Sequence, residues 1–404
     1  MTKLDTLIQE LCPDGVEYKE LKSVFEMRNG YTPSKAKAEF WEGGTIPWFR
    51  MEDIRENGNI LSDSAQHITP AAVKGKLFPA NSIIVATSAT IGEHALITVE
   101  SLANQRFTYL VRRPEYEEKL DPKFVYYYCY KLDEWCLNNT NISSFPSVDM
   151  AKFAKFKIPI PPLPVQREIV RILDNFTELT AELTAELTAR KKQYEYYRDT
   201  LLTFGVHRRG TFETKWRTLA EIADIGTGSS NTNEAVEDGK YPFFVRSQEP
   251  LRKNDYEYDE TAIITAGDGV GVGKVYHYVE GKYALHQRAY RIHIVAPDVL
   301  PRFFFYYMKA KFLPYIQKNV FQGSVSSIRR PMLNAFPVPV PDVELQERIV
   351  NVLDNFDAIC SDLNIGLPAE IEARKKQYEY YRDMLLTFAA ADDIILTDRQ
   401  TEPN

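Results

Sequence analysis

The sequence predicts an α+β protein built from two copies of one unit, each a globular lobe followed by long, coiled-coil-like helices. The segment 189–204 reads ARKKQYEYYRDTLLTF and returns at 373–388 as ARKKQYEYYRDMLLTF, so fifteen of sixteen positions agree. An upstream segment, QREIVRILDNF at 166–176, returns as QERIVNVLDNF at 346–356. Apolar residues recur every three or four positions through these segments, which is typical of one face of a helix.

The repeat divides the chain into alternating lobes and helical segments. We predict a first lobe at 1–157, a central helical repeat at 158–208, a second lobe at 209–336, a distal helical repeat at 337–390 and a C-terminal tail at 391–404. Alternating prolines, in IPIPPLP at 158–164 and in VPVPDV at 338–343, come just before the matching segments 166–176 and 346–356. The lobes contain short β-rich runs between Gly, Pro, Asn and Asp turn signals, so we expect them to mix strands and helices.

Both helical repeats are predicted to form long helices with an apolar stripe. The central repeat is continuous for about 39 residues, which at about 1.5 Å per residue makes a rod of about 58 Å. The distal repeat is interrupted by Gly366, Leu367 and Pro368, because glycine favours the end of one helix and proline the first turn of the next. Helices of this length usually need a partner for their apolar stripe.

Composition excludes several classes of protein. The chain has 404 residues, of which 44% are hydrophobic and 26% charged, and no apolar run approaches the roughly eighteen residues of a membrane helix. Its four cysteines show neither CxxC nor disulfide-framework spacing, so we expect a cytoplasmic protein. The net charge of −7 is uneven, because segments 1–156, 157–208, 209–336 and 337–404 carry −3, +1, +3 and −8. The overall charge therefore says little about local patches.

The sequence contains no recognisable catalytic, cofactor or metal motif. The stretch GDGVGVGK at 267–274 fails the phosphate-loop pattern, because Asp268 stands where glycine is required and Val275 where Ser or Thr is required. The six histidines lack metal-ligand spacing, and neither a nucleophile elbow nor an amino-methyltransferase tetrapeptide is present. We therefore expect neither a cofactor nor a metal in this chain, and no enzyme activity of its own.

The two copies have diverged unequally, since the helical repeats are nearly identical and the lobes are not. Near-identical helices indicate that one interaction is made twice, and different lobes indicate two different ligand elements held at a fixed separation. DNA sites with two unlike halves and a fixed gap are ligands of this kind. The alternative is that the lobes have drifted without consequence.

The lobes offer polar, aromatic and basic side chains on predicted loops that are suited to DNA. Arginine reads guanine with two hydrogen bonds, glutamine reads adenine, and serine hydroxyls bind phosphates. The candidate DNA contacts are Tyr31, Lys35, Trp48, Arg50, Ser144, Ser147, Arg246, Gln248, Ser324, Ser327, Arg329 and Arg330. For each of them the alternative is an ordinary solvated surface residue.

With these residues in view, the chain resembles the specificity subunits of type I restriction–modification enzymes over essentially its whole length. The resemblance rests on the twin helical repeats with their preceding prolines, and on NGYTPSKAKAEFWEGGTIPWF at 29–49, a common opening of the target-recognition lobes in this family. The second lobe departs from that opening, because GTGSSNTNEAVEDGKYPFF at 226–244 lacks the FW…GxIPW pattern. The two lobes are therefore expected to read different half-sites.

The resemblance implies a non-catalytic reader of double-stranded DNA. It implies two target-recognition domains separated by long antiparallel helices in a pseudo-two-fold repeat, with each lobe reading half of a split site and the helices setting the gap. Two methyltransferase subunits, which use S-adenosylmethionine, would dock on the helices, and restriction subunits would join the full complex. The residues assigned to docking and spacing are Gln166, Leu183, Leu187, Tyr194, Tyr197, Gln346, Tyr378 and Tyr381. A two-lobed scaffold or ligand-binding module that does not act on DNA is the alternative.

Overall fold

The computed structural model describes residues 2–141, 146–204, 214–319, 327–362 and 364–390, so the predicted tail at 391–404 lies outside the described residues. The chain forms two compact units. Unit 1 comprises Met1–Ala181 together with Ala373–Asn404, and unit 2 comprises Glu182–Glu372. The predicted α+β class is confirmed, since each unit combines sheets with packed helices.

Unit 1 contains the first lobe. Its helices are α1 (Lys3–Leu11), α2 (Leu21–Val24), α3 (Met51–Asn57), α4 (Pro122–Asn138), α5 (Met150–Phe153) and the beginning of α6 (Leu163–Leu201). Its strands are β1 (Tyr18–Glu20), β2 (Phe25–Asn29), β3 (Ile46–Phe49), β4 (Ile60–Leu61), β5 (His67–Ile68), β6 (Ser82–Ala86), β7 (His94–Ile97), β8 (Leu102–Ala103), β9 (Phe107–Arg112), β10 (Thr140–Asn141), β11 (Ser147–Val148) and β12 (Lys157–Pro159). The largest sheet has the order β2-β9-β6-β7-β4, and β5-β3-β8 form a second sheet.

Helix α4 closes the core of unit 1 against strands β6 and β7. It begins at Pro122 because the side chain of Asp121 accepts hydrogen bonds from the backbone N–H groups of Lys123 and Phe124. Phe124 and Ile169 of α6 are both completely buried in one hydrophobic core, so the start of the long helix shares the core of the lobe.

Unit 2 contains the second lobe. Its helices are the remainder of α6, α7 (Leu219–Ile222), α8 (Pro301–Asn319), α9 (Arg330–Asn334), α10 (Val343–Ser361) and the beginning of α11 (Leu367–Leu385). Its strands are β13 (Lys215–Thr218), β14 (Ala223–Thr227), β15 (Tyr241–Phe244), β16 (Leu251–Lys253), β17 (Tyr258–Ala266), β18 (Tyr276–Leu285), β19 (Ala289–Ile294) and β20 (Pro337–Val340). A six-stranded sheet has the order β14-β19-β17-β18-β15-β16, and α8 packs against β17 and β18.

A two-stranded antiparallel ribbon joins the points where the chain enters and leaves each lobe. In unit 1, β1 pairs with β12 and places Lys19 opposite Ile158. In unit 2, β13 pairs with β20 and places Trp216 opposite Pro339. Pro159 of β12 and Pro337 and Pro339 of β20 lie on these ribbons, where one partner strand leaves alternate N–H groups without a ladder bond and proline is therefore tolerated.

The helical repeats have the predicted lengths and the predicted interruption. Helix α6 contains 39 residues, whereas the distal repeat is divided into α10 and α11. Gly366 lies at the turn between them, and a Cβ atom there would stand 2.5 Å from the carbonyl oxygen of Ala358 and 2.7 Å from that of Asp362. Only glycine lets the start of α11 approach the end of α10 this closely.

The end of the central helical repeat contacts the second lobe, and the end of the distal helical repeat contacts the first lobe. Thr203, just beyond α6, accepts a 2.9 Å hydrogen bond from Lys311 of the second lobe. Its repeat equivalent Thr387 accepts a 2.7 Å hydrogen bond from Lys131 of the first lobe. The backbone N–H of Val16 also donates to the carbonyl of Ala389 at 2.9 Å, so the two ends of the described chain meet within unit 1.

Candidate nucleic-acid interface

Three loop segments meet at one end of the second lobe, beyond the end of β17. The N–H of Gly267 donates to the carbonyl of Arg288 at 2.9 Å, and the N–H of Ile328 donates to the carbonyl of Gly267 at 2.8 Å. Asp268 and Ser327 form an isolated antiparallel bridge beside these bonds. The backbone therefore brings together residues that are up to about sixty positions apart, which we call tip 2 (residues 267–274, 286–288 and 327–329).

The first lobe has the same arrangement beyond the end of β6. The N–H of Thr87 donates to the carbonyl of Arg106 at 3.0 Å, and the N–H of Val148 donates to the carbonyl of Thr87 at 2.9 Å. Ser88 and Ser147 form the isolated bridge. We call this surface tip 1 (residues 87–92, 104–106 and 146–148), and it repeats the backbone contacts of tip 2.

A fourth segment reaches each tip from a parallel strand pair. In the first lobe the N–H of Asn104 donates to the carbonyl of Phe49 at 3.0 Å, so Arg50 comes directly beside tip 1. In the second lobe the N–H of His286 donates to the carbonyl of Phe244 at 2.9 Å, which brings Arg246 to tip 2. The two lobe openings therefore occupy equivalent places although their sequence patterns differ.

In the loops before β9 and β19, a side chain accepts a hydrogen bond from the backbone N–H two residues later, but the accepting side chain differs. The side-chain oxygen of Asn104 accepts from the N–H of Arg106 at 2.9 Å. In the second lobe the ring Nδ1 of His286 accepts from the N–H of Arg288 at 3.0 Å. Different acceptors hold the same loop shape, so side chains at the tips have changed while the backbone scaffold has been kept.

In tip 2, one carboxylate holds two guanidinium groups. Asp268 Oδ1 accepts from Nη1 of Arg246 at 2.6 Å, and Oδ2 accepts from Nη1 of Arg288 at 3.3 Å. The side chains of Arg246 and Arg288 remain 40% and 60% exposed. Burial raises the pKa of the Asp268 carboxyl, but the hydrogen bond from Arg246 and the two positive charges outweigh it and lower the pKa overall, so the group is ionised at neutral pH.

An apolar side chain lies at the apex of the same loop. Gly269 has φ +80°, a left-handed conformation suited to glycine, and it turns the chain so that Val270 is 95% exposed. The equivalent residue of tip 1, Ala89, also has a positive φ of +68° although it is not glycine. The turn is therefore retained in the first lobe at the expense of backbone strain.

The structure places several predicted DNA contacts at the tips and others elsewhere. Arg50 and Ser147 lie at tip 1, and Arg246, Ser327 and Arg329 lie at tip 2. Lys35 and Gln248 are exposed loop residues, and Arg330 donates to the carbonyl of Ile225 at 2.6 Å. Ser144 and Ser324 lie outside the described residues.

Trp48 is corrected by the structure, because its side chain lies in the interior of the first lobe, beside Tyr31. Trp48 is 2% exposed, and its indole N–H donates to the carbonyl of Tyr31 at 3.0 Å. The hydroxyl of Tyr31 donates to the carbonyl of Ala72 at 3.2 Å and accepts from the N–H of Lys74. Trp48 is therefore not free to contact DNA without unpacking the lobe, whereas Tyr31 remains partly exposed and stays a prediction.

Three tip residues, Arg106, Arg288 and Asp268, were not among the predicted contacts. The similarity of Asn104–Gln105–Arg106 to His286–Gln287–Arg288 is visible in the sequence as part of the repeat. Sequence alone does not show that this loop meets the one beyond β6 or β17. The long-range backbone bonds between these loops supply that information.

The glutamines assigned to partner docking are also corrected. Gln166 is completely buried, its oxygen accepts from the N–H of Asp121 at 2.8 Å, and its amide donates to the carbonyls of Lys119 and Pro161 at 2.8 and 2.6 Å. Gln346 is buried in the same way and makes the equivalent set of bonds within unit 2. Both residues fasten a helix to its own lobe, because a buried amide needs these partners.

The predicted tyrosines of the helical repeats divide into packed and exposed residues. Tyr194 and Tyr378 pack against the cores of their own units, and Tyr197 and Tyr381 stack on phenylalanine rings. The most exposed aromatic residues of the helices are instead Tyr196 and Tyr380, which are 67% and 66% exposed. These two are repeat equivalents, so the same aromatic surface is presented twice. Leu183 and Leu187 are partly buried on α6.

Comparison with known proteins identifies the class. Residues 13–190 and 213–373 match the family described as Type I restriction modification DNA specificity domain. The chain is 44% identical over 384 residues to the EcoprrI specificity subunit of Escherichia coli, covering 90% of this chain and 93% of the relative. It is 34% identical over 309 residues to the EcoR124I/EcoR124II specificity subunit of the same organism, covering 67% and 72%.

Solved structures agree in fold. The fold is similar to that of a chain from a study of complex assembly and conformational transition of the type I R-M system, with TM-score 0.63, 17% identity, and coverage of 92% and 97%. It is also similar to the S subunit of a type I restriction–modification system from M. genitalium, with TM-score 0.54, 16% identity, and coverage of 92% and 95%.

The chain belongs to the type I restriction–modification DNA specificity family. It is a specificity subunit, which serves DNA sequence recognition, and catalysis lies in the partner subunits. The alternative of a scaffold that does not act on DNA receives no support. Within the part of the chain that the structure describes, no helix is long and apolar enough to cross a membrane, and no group of three or more His, Cys, Asp or Glu side chains could hold a metal ion.

Proposed function

We propose that each lobe reads one half of a bipartite, asymmetric DNA site through its tip, and that the helical repeats set the gap between the halves. The observation that carries this proposal is the common backbone scaffold of tips 1 and 2 with different side chains on it. Asp268 and His286 in the second lobe stand where Ser88 and Asn104 stand in the first. One scaffold with two chemistries is suited to two different half-sites.

We further propose that two copies of a methyltransferase subunit dock on the helical repeats, and that restriction subunits join the full complex. The segments 189–204 and 373–388 are nearly identical and present equally exposed tyrosines, Tyr196 and Tyr380, which supports two equivalent docking surfaces. Tyrosine is enriched among residues that dominate binding energy. S-adenosylmethionine would be bound by the methyltransferase, and the complex would work in the cytoplasm.

Mapping of methylated adenines tests the recognition proposal. The chain would be expressed with the methyltransferase gene that neighbours it, in a host without adenine methylation, and modified bases would be located by single-molecule sequencing. A split, asymmetric motif that disappears without this chain is the expected result. A methyltransferase that is folded and bound to the chain but produces no new motif would contradict the proposal.

Alanine variants of the exposed tyrosines test the docking proposal. Tyr196→Ala and Tyr380→Ala should each weaken the binding of one methyltransferase copy by roughly 10-fold or more, because a tyrosine at the centre of an interface commonly contributes over 1 kcal/mol. Native mass spectrometry would count the bound copies, with one lost in each single variant and two in the double. Trp216→Ala, a half-exposed aromatic residue on strand β13, is the matched control. Unchanged stoichiometry and affinity in the double variant would place docking elsewhere.

A further inference from the structure

We propose that Arg246 and Arg288 contact guanine base edges in the half-site of the second lobe, and that Asp268 positions both guanidinium groups for this contact. The inference rests on the proposed function of tip 2 as a DNA-reading surface. Arg246 and Arg288 act here as specificity-determining residues, and Asp268 acts as a positioning residue.

The geometry supports preorganised contacts. The carboxylate of Asp268 uses one oxygen for Arg246 at 2.6 Å and the other for Arg288 at 3.3 Å, so two long side chains are held at one point of the surface. The carbonyl of Arg246 lies 2.5 Å from the position of a Cβ added to Gly271, which shows how closely its backbone packs on the loop. Guanidinium groups restrained before binding lose less conformational freedom when DNA arrives.

The charge arrangement favours base edges over phosphates. Asp268 is three-quarters buried beneath the arginines but remains ionised, since the two guanidinium groups lower its pKa overall. A carboxylate beside the contact point repels the DNA backbone and cancels part of the positive charge that a phosphate site needs. Base edges carry no net charge, and the free N–H groups of a guanidinium match the O6 and N7 acceptors of guanine.

The first lobe supplies an internal comparison. Arg106 stands at the place of Arg288, but Ser88 replaces Asp268, and Arg50 approaches from the opening segment. The hydroxyl of Ser88 carries no negative charge, so it cannot hold two guanidinium groups as the carboxylate of Asp268 does. A guanine contact organised by a carboxylate is therefore expected of the second half-site and not of the first.

Charge-conserving substitution provides the test. The complex of the full chain with its methyltransferase would be assayed for binding to duplexes that carry its methylation motif, with each position of the second half-site changed in turn. Arg246→Lys and Arg288→Lys keep the charge and lose the planar fork of donors. We expect discrimination at a G·C pair of the second half-site to fall by roughly 5- to 150-fold, as for the loss of a bidentate contact.

Three controls make the result decisive. Lys215→Ala removes an exposed positive charge from β13, on the ribbon where the chain enters and leaves the second lobe, and should leave both half-sites unchanged. Arg106→Lys should affect the first half-site alone. Asp268→Asn should weaken discrimination while strengthening binding to unrelated DNA, a combination that a purely structural role would not produce.

The outcomes separate this inference from the function on which it depends. If the parent complex methylates no split motif, the proposed function fails before the variants are considered. If the parent motif is split and both lysine variants keep full discrimination at every position, the guanine contacts are wrong. Loss of affinity for all duplexes with unchanged discrimination would assign the arginines to phosphates, which also overturns the proposal. Because Arg288 is 60% exposed, its variant is expected to fold even where Arg246→Lys does not.

Discussion

Phe176 stacks on Tyr381, with ring centroids 5.4 Å apart and planes inclined by 24°. Their repeat equivalents form the corresponding pair: Phe356 stacks on Tyr197, with ring centroids 5.6 Å apart and planes inclined by 29°. The upstream half of each helical repeat therefore packs against the downstream half of the other repeat. One pair belongs to unit 1 and the other to unit 2, so each unit is completed by residues from both repeats.

The Phe176–Tyr381 pair should contribute about 1 kcal/mol of coupling energy, the usual value for a stacked aromatic pair. A double-mutant cycle with Phe176→Leu and Tyr381→Leu, measured by urea unfolding of the full chain, should return this coupling. The cycle of Phe176→Leu with Tyr197→Leu is the control, because Tyr197 stacks on the other phenylalanine and should couple to Phe176 by less than about 0.5 kcal/mol. Equal coupling in the two cycles would contradict the exchanged pairing.

Replacement of Gln166 by leucine should destabilise unit 1 by about 2–4 kcal/mol. The substitution leaves the N–H of Asp121 and the carbonyls of Lys119 and Pro161 buried without their partners. Gln346→Leu should cost a similar amount in unit 2. Gln193→Leu, at an exposed position of α6, should change the free energy of unfolding by no more than about 0.5 kcal/mol. Thermal unfolding of the three variants would test this difference. A loss of stability in Gln193→Leu equal to that in the two buried-glutamine variants would contradict the prediction.

Ala89→Gly should stabilise the first lobe by about 0.5 kcal/mol. A left-handed alanine costs about 1–2 kcal/mol, and the greater freedom of glycine in the unfolded chain offsets part of the relief. Gly269→Ala is the reciprocal change and should be destabilising, since a Cβ there has room but must adopt φ +80°. The two midpoints of urea unfolding should therefore move in opposite directions. A shift of the same sign in both variants would exclude strain as the cause.

The carboxyl of Glu168 should make the stability of the folded state sensitive to acid. Hydrogen bonds from Arg171 and Lys3 lower the pKa of its carboxyl from 4.5 to about 2. A carboxyl with a lower pKa in the folded state stabilises that state above pH 4.5 and loses this effect as the pH falls toward 2. The difference in melting temperature between the parent and Glu168→Gln should therefore narrow across that range. Glu178→Gln, an exposed carboxyl of the same helix, should show a nearly constant difference.

Deletion of Thr184–Leu187 should shorten the recognised gap. These residues are the second of two TAEL tetrapeptides in α6, and removing four helical residues shortens the helix by about 6 Å and rotates its C-terminal portion by about 40°. The gap in the methylation motif should shrink by about one or two base pairs, with both half-sites unchanged. An unaltered gap would show that the length of α6 does not set the spacing.

The sequence by itself determined the repeat, the α+β class and the place of the helices. These features depend on local information, because the 3.6-residue period of α6 and the Gly366–Pro368 interruption act within a few residues of themselves. The family resemblance was equally local, since it rested on the two helical repeats and the opening of the first lobe. The sequence therefore predicted that the chain serves DNA recognition.

Only the tertiary structure decided which side chains form the tips and which fasten the core. The side chains of Trp48 and Gln166 are of types common at interfaces, yet long-range packing buries both. Arg288 lies twenty residues from Asp268 in the chain, and it joins the carboxylate because β17 and β19 are neighbouring strands of one sheet. Burial and strand pairing depend on residues far apart in sequence, so no local pattern could have assigned these roles.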